Sequence, residues 1–258
     1  MRNRIWSGLL ALLIGSGAWA KVIEQPVRFA GDLGGGVLYY DDAVAYPEAG
    51  VVVVHEWWGM NDYPRRRARQ LAALGYPAFA VDMYGHGKVA EHAADAKAFM
   101  EAALKEPELM QQRFEQARQA LATQGRVPRA RQFAVGYCFG GAVVLNQARS
   151  GADLAGVASF HGSLAAPGPT PTGVVKARIL VATGGADPMV PAQQVADFVK
   201  EMSEAGARFE LISFPGVKHG FTNPAATASG EANGLPLAYD EQADEQSWEA
   251  LLRFLATR

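Results

Sequence analysis

A single cysteine stands among the 258 residues, and that scarcity excludes two things at once. No disulfide can form within the chain, and a thiolate metal centre is ruled out on count. Basic residues are scarce as well. Of 24 basic and 26 acidic residues, Arg2 and Arg4 lie in the first twenty, which leaves 22 basic residues and a net charge of −4 for residues 21–258. No basic stripe is left that could track phosphates, so nucleic acid is not an expected partner. No composition break or low-complexity linker divides the chain, and residues 21–258 read as one α/β domain.

Long apolar runs are missing too. The most apolar stretch near the N-terminus, Ile5 to Leu13, is too short to span a bilayer comfortably, and it follows Met-Arg-Asn-Arg and precedes Ala18-Trp19-Ala20. A basic start, a short apolar centre and small residues at −3 and −1 describe a secretory signal peptide over residues 1–20. Cleavage after Ala20 is expected, with Lys21 as the mature N-terminus, export to the periplasm or medium, and no membrane association afterwards. An uncleaved anchor is the alternative. A lone cysteine in an exported chain is open to oxidation, so its presence points to chemistry or deep burial.

That cysteine lies in Gln132 to Leu145, Gln-Phe-Ala-Val-Gly-Tyr-Cys-Phe-Gly-Gly-Ala-Val-Val-Leu. Phe133 to Val135 suit a buried strand, and helical spacing resumes at Ala142. A strand that turns into a helix across so few residues forces the central one, Cys138, into strained geometry, and flanking glycines remove the Cβ atoms that would collide. This is the nucleophile elbow Gly-x-Ser-x-Gly with cysteine in the serine position. Its sulfur would sit at a helix N-terminus, where free N–H groups and the positive dipole end favour a thiolate. Taken alone, Gly-x-Cys-x-Gly is also what a buried free cysteine in a glycine-rich turn looks like.

The rest of the chain alternates strands and helices. Pro26 to Ala30 and Gly36 to Tyr40 read as a hairpin. Val51 to Val54, Ala78 to Val81, Leu154 to Phe160, Arg178 to Thr183 and Phe209 to Phe214 read as buried strands. Helices are expected over Asp62 to Leu74, Ala90 to Lys105, Pro107 to Gln124, Pro191 to Ala205 and Asp240 to Ala256. Arg65, Arg66, Arg67 and Arg69, with the two helices after Ala90, read as a solvated outer layer, and Asn223 to Pro236 as irregular. The pattern predicts a mostly parallel, doubly wound sheet flanked by helices, with an antiparallel hairpin at one edge.

In such sheets ligands bind outside the carboxyl ends of the strands. Four expected strands end there in a chemically useful residue: Glu56, Cys138, Asp187 and His219. The order nucleophile, acid, histidine is that of the α/β-hydrolase triad. Each residue has a plainer reading. Asp187 before Pro188 could start a turn, His219 could be a solvated loop histidine, and Glu56 could pair with a nearby arginine. His161 follows a strand in a turn typical of packing or pocket lining. His86 reads as pocket lining, His55 and His92 as structural.

With these motifs in place, the sequence resembles the dienelactone hydrolase family of α/β-hydrolases. The resemblance spans essentially all of residues 21–258. It rests on Gly136-Tyr137-Cys138-Phe139-Gly140-Gly141, on Glu56 after Val51 to Val54, on Asp82-Met83-Tyr84, on Gly184-Gly185-Ala186-Asp187 and on Gly216 to Phe221. It implies an α/β-hydrolase fold and cleavage of a small-molecule ester or lactone without metal or cofactor. In that scheme Cys138 attacks the carbonyl, His219 handles protons, Asp187 holds the imidazole and Glu56 assists thiol deprotonation. The backbone N–H groups of Trp57 and Phe139 would form the oxyanion hole. Trp58, Tyr84, His86, His161 and Phe221 would line the substrate pocket. Where dienelactone-cleaving members carry arginines that grip a substrate carboxylate, this chain has His86 and Asn223, and Gly220 stands where serine is frequent. Neither His nor Asn supplies a bidentate fork. Two other readings of the same residues are a thiol redox protein or sensor using Cys138, which would lack a resolving cysteine, and a non-catalytic binding protein on the same fold.

Overall fold

A computed structural model describes residues 21–257. The expected signal peptide lies outside the described residues. Eight strands form one sheet in the order β1-β2-β4-β3-β5-β6-β7-β8. β1 (Val22–Arg28) and β2 (Gly35–Asp41) pair antiparallel, and β2 pairs antiparallel with β4 (Ala78–Val81). From β4 onward every pairing is parallel, through β3 (Gly50–Val54), β5 (Gln132–Tyr137), β6 (Gly156–Phe160), β7 (Arg178–Gly184) and β8 (Phe209–Phe214). This is the expected mostly parallel α/β-hydrolase sheet with a hairpin at one edge.

The central strands are apolar because both of their faces are covered. Along β3 the side chains alternate: Val51 and Val53 join one core, Val52 and Val54 the other. The first core lies under α1 (Asp62–Ala73) and α7 (Glu241–Ala256), with Leu71, Leu251 and Phe254 packed on the sheet. The second lies under α3 (Pro107–Thr123), α4 (Phe139–Arg149) and α5 (Ala192–Glu204), where Phe114, Val144 and Phe198 fill it. Each fully buried valine or phenylalanine contributes about 1.5–3 kcal/mol relative to exposure. α2 (Ala93–Leu104) packs against α3 near the end that holds the site.

Two expectations fail, for identifiable reasons. The stretch from Asn223 to Pro236 is not irregular throughout, because Ala226–Asn233 forms α6. Its small residues give no apolar stripe to signal a helix. It is instead fixed by tertiary contacts, including the Asn233 side chain, which accepts a hydrogen bond from the Ala93 N–H at 2.9 Å. Nor are all four arginines of α1 solvated. Arg67 falls on the same helix face as Tyr63, Ala68 and Leu71, so it is carried into the core, 4% exposed. There it pairs with Asp244 of α7 and donates to the Thr222 carbonyl at 2.6 Å. Arg113 and Arg118 of α3 are buried as well, against the expectation of a solvated layer.

Candidate active site

β5 ends at Tyr137 and α4 begins at Phe139, so one residue makes the whole turn. Cys138 takes φ 53 and ψ −115, a left-handed conformation that costs a non-glycine residue energy. Glycine is needed on both sides for lack of space. A Cβ on Gly136 would collide with the Gly140 carbonyl, and one on Gly140 with the Val54 carbonyl. The turn is held by Cys138 N–H donating to the Phe160 carbonyl at 3.0 Å and Gly140 N–H to the His55 carbonyl at 3.1 Å. Cys138 remains partly accessible.

The loops after β7 and β8 are stitched together. Gly185 N–H donates to the Phe214 carbonyl at 2.7 Å and Ala186 N–H to the Val217 carbonyl at 2.9 Å. This brings Asp187 against His219, and Asp187 Oδ2 accepts from His219 Nδ1 at 2.7 Å. The other oxygen, Oδ1, accepts from the Met189 N–H at 2.8 Å. Asp187 therefore orders its own turn and fixes the histidine at once. With Nδ1 committed, Nε2 of His219 is the free nitrogen. It makes no hydrogen bond of ordinary geometry among the described residues. Burial disfavours a charged ring, but the negative charge of Cys138 and the hydrogen bond and charge of Asp187 outweigh it and push the His219 pKa up to about 10.

Glu56 is 5% exposed at the start of the loop after β3, and its Oε2 accepts from Asn223 Nδ2 at 2.7 Å. Burial raises its pKa to about 7 against the opposing pull of Asn223, His219 and Arg67. The neighbouring His55 is structural. Its Nδ1 meets the Glu56 carbonyl and its Nε2 accepts from the Met83 N–H at 3.1 Å, tying the ends of β3 and β4 together.

A cavity of about 400 Å³ opens onto Cys138 and His219. It is walled by Trp57, Met100, Leu104, Phe139, Ala142, Ser163, Met189, Val190 and Leu237. The backbone N–H groups of Trp57 and Phe139, both on this wall, donate to no protein acceptor among the described residues. Phe139 directly follows Cys138 in the chain, and all three residues line the same cavity.

A family model described as the dienelactone hydrolase family matches residues 35–258. The chain belongs to the dienelactone hydrolase family. Among solved structures it is similar to the dienelactone hydrolase-like promiscuous phosphotriesterase P91 from metagenomic libraries. The two share 30% identity over 91% of this chain and 98% of that one, with a TM-score of 0.81. An uncharacterized Caenorhabditis elegans protein, K02A2.1, is 33% identical over 55% of this chain and 90% of its own length. A Salmonella typhimurium protein that carries the provisional name carboxymethylenebutenolidase is 24% identical over 80% of this chain and 76% of its own. The chain is an ester-hydrolysing enzyme of this family.

Five of the residues expected in the pocket lie elsewhere around the site. Trp58, Tyr84, His86, His161 and Phe221 are not among the residues that wall the cavity. Trp58 is buried against Ala90 and Ala96, and the Trp57 ring packs edge-on against it with centroids 5.1 Å apart. Tyr84 stands behind Trp57, its hydroxyl donating to the Trp57 carbonyl at 2.9 Å, so it supports the loop rather than a ligand. His86 sits in a left-handed turn with its side chain half exposed, 3.5 Å from Asp32. That turn is built by Asp82, whose carboxylate accepts the N–H groups of Tyr84, Gly85 and Gly87.

His161 and Phe221 are wholly buried on the far side of His219. The His161 ring stands edge-on to His219 with centroids 5.1 Å apart, and Phe221 packs on His161 at 5.2 Å. Burial, then the charges of His219 and Arg67, hold His161 well below the usual histidine range, so it stays neutral. Its Nε2 meets Thr222 Oγ1 at 2.8 Å, and Thr222 also bonds the Tyr63 hydroxyl. Thr222, Tyr63, Arg67 and Asn223 are the residues that sequence reasoning did not connect to the site. In the sequence Asn223 stands out only as the position where an arginine is missing, and Arg67 only as one of a basic cluster.

Proposed function

We propose that this enzyme cleaves an ester or lactone through Cys138, His219 and Asp187. The observation that carries the reading is the buried Asp187–His219 hydrogen bond, whose free ring nitrogen and the Cys138 sulfur share one cavity wall. The thiolate sulfur attacks the carbonyl carbon, a C–S bond forms, and the carbonyl electron pair moves to oxygen. The N–H groups of Trp57 and Phe139 receive that negative charge, a contribution of about 3–4 kcal/mol per donor in comparable sites. Collapse breaks the C–O bond, and the His219 imidazolium protonates the leaving alkoxide. The neutral ring then takes a proton from water, which attacks the thioester and releases the acid and the thiolate. Asp187 keeps the imidazole in the tautomer and orientation these transfers need.

Glu56 has the role of a proton partner. With a pKa of about 7 it is present in both forms near neutral pH, so it can exchange a proton with the sulfur as substrate enters. Alkylation of the only cysteine should add one label per chain and abolish ester hydrolysis. Full activity after complete alkylation would remove the mechanism. We also propose that residues 1–20 are cleaved on export. An intact mass that begins at Lys21 is expected from the native host, and one that retains Met1 would contradict it.

A further inference from the structure

We infer that the substrate is an uncharged ester with an apolar acyl group, one that carries no carboxylate or phosphate. The inference rests on the proposed reading of the site and adds the class of molecule it takes. It comes from the cavity wall. α2 supplies Met100 and Leu104, α4 supplies Phe139 and Ala142, the loop after β7 supplies Met189 and Val190, and the segment after α6 supplies Leu237. The only side chains there with hydrogen-bonding or nucleophilic heads, apart from the Trp57 indole, are Cys138, His219 and Ser163. Two of these are committed to the reaction, and Ser163 is turned toward Gln194.

Among the described residues, no lysine or arginine lines this cavity. The buried cations nearby are already saturated by the protein. Arg67 holds Asp244 and the Thr222 carbonyl. Arg113 donates to the carbonyls of Leu33 and Met83, and Arg149 is paired with Glu201 and the Leu164 carbonyl. A carboxylate on the substrate would therefore lose its water and find no free counter-charge, since the His219 ring is already engaged by Asp187 and Cys138. Glu56, on the inner side of the site, would repel it further when ionised. An alkyl group gains instead with each CH₂ removed from water. The rim has the same character. Leu104 is 51% exposed and Met189 38%, an apolar entrance to an apolar chamber.

The volume sets the upper bound. About 400 Å³ lies near the small end of ligand cavities, so acyl length should raise kcat/KM to a maximum and then lower it.

The test compares p-nitrophenyl butyrate and hexanoate with the p-nitrophenyl monoesters of glutaric and adipic acid, whose chains are similar but end in a carboxylate. Native protein, Cys138→Ala and Leu104→Arg are assayed. The neutral esters should be favoured by about 100-fold or more in kcat/KM, the scale of burying an unpaired charge. Leu104 is half exposed, so arginine fits there without disturbing the core. Leu104→Arg should shrink that preference at least tenfold, by improving the carboxylated esters. Cys138-dependent turnover with equal or higher kcat/KM for the carboxylated esters would overturn this inference and leave the proposed mechanism standing. Turnover that survives in Cys138→Ala, or no turnover of any ester by the native protein, would overturn the mechanism and the inference with it.

Discussion

Asn223 donates its side-chain amide to the buried carboxylate of Glu56 at 2.7 Å, across 167 positions of sequence. The contact joins the loop after β3 to the loop that carries His219, and it gives the acid its one side-chain hydrogen bond. The bond matters because, of the influences that offset the burial of the carboxylate, it is the largest, ahead of the charges of His219 and Arg67. Asn223→Ala should therefore raise the Glu56 pKa above about 7 and destabilise the protein by about 1–3 kcal/mol when Glu56 is ionised. Carboxyl carbon NMR across pH 5–9 reads the shift. An unmoved titration would mean that the bond is incidental.

Glu56 itself gives a pH signature. Its folded pKa is raised from 4.5 to about 7, so the native state binds this proton more tightly than the unfolded chain. The linked stability is present in full below pH 4.5 and is lost as pH rises through 7, by about 3 kcal/mol. Glu56→Gln removes the penalty. Its stability relative to the native protein should climb between pH 4 and 8, while kcat falls by about 100-fold, the scale of general-base assistance. A stability difference independent of pH, measured by denaturant titration, would contradict this. Near-normal kcat would reduce Glu56 to a structural acid.

His219 titrates in the same sense, at higher pH. A pKa raised to about 10 stabilises the fold below the ordinary histidine value of 6.5, and this contribution disappears as pH rises toward 10. Burial opposes the charged ring, and Cys138 is the largest influence that favours it. Removing the sulfur in Cys138→Ala should lower the pKa of His219 by more than one unit. Nitrogen NMR of the imidazole is the direct reading. A ring that still titrates near 10 in the variant would show that the sulfur and the ring do not form the proposed ion pair.

Arg67 provides a test away from the reacting atoms. It is buried between α1 and α7, with Asp244 and the Thr222 carbonyl as partners and the rings of Tyr63, Tyr137 and Trp248 around its guanidinium. Arg67→Met leaves Asp244 without its buried cation and should cost about 3–5 kcal/mol, as breaking such pairs does. The loop from His219 to Asn223 would lose an anchor, so kcat should fall while KM moves little. A loss below 1 kcal/mol in chemical denaturation would show that Asp244 finds solvent or another partner.

Much of the frame was legible because it depends on local pattern. Val51 to Val54 reads as a doubly covered strand, and it is one. The elbow reads from Gly136 to Gly141 because only glycine tolerates the carbonyl approaches found there. Asp187 and His219 stand at adjoining strand ends, and strand order alone makes them neighbours. The pocket was not legible. Its walls come from α2, α4 and five separate connecting segments, and nothing in the order of residues says that Met100 and Leu237 face the same space. Neighbours in sequence also mislead here, since Trp57 lines the cavity while Trp58, packed edge-on against it, does not. Arg67 was hidden among exposed arginines. Its spacing from Tyr63 and Leu71 was the available signal, and it gives way to charge only if periodicity is ignored.

The central claim is that Cys138 is the nucleophile, and the most direct measurement is kcat/KM of Cys138→Ala on p-nitrophenyl butyrate beside the native protein. The account predicts that hydrolysis by the variant falls to within a few-fold of the uncatalysed rate while its thermal unfolding and far-UV circular dichroism stay native. A folded Cys138→Ala protein with kcat/KM within tenfold of the native value would contradict it.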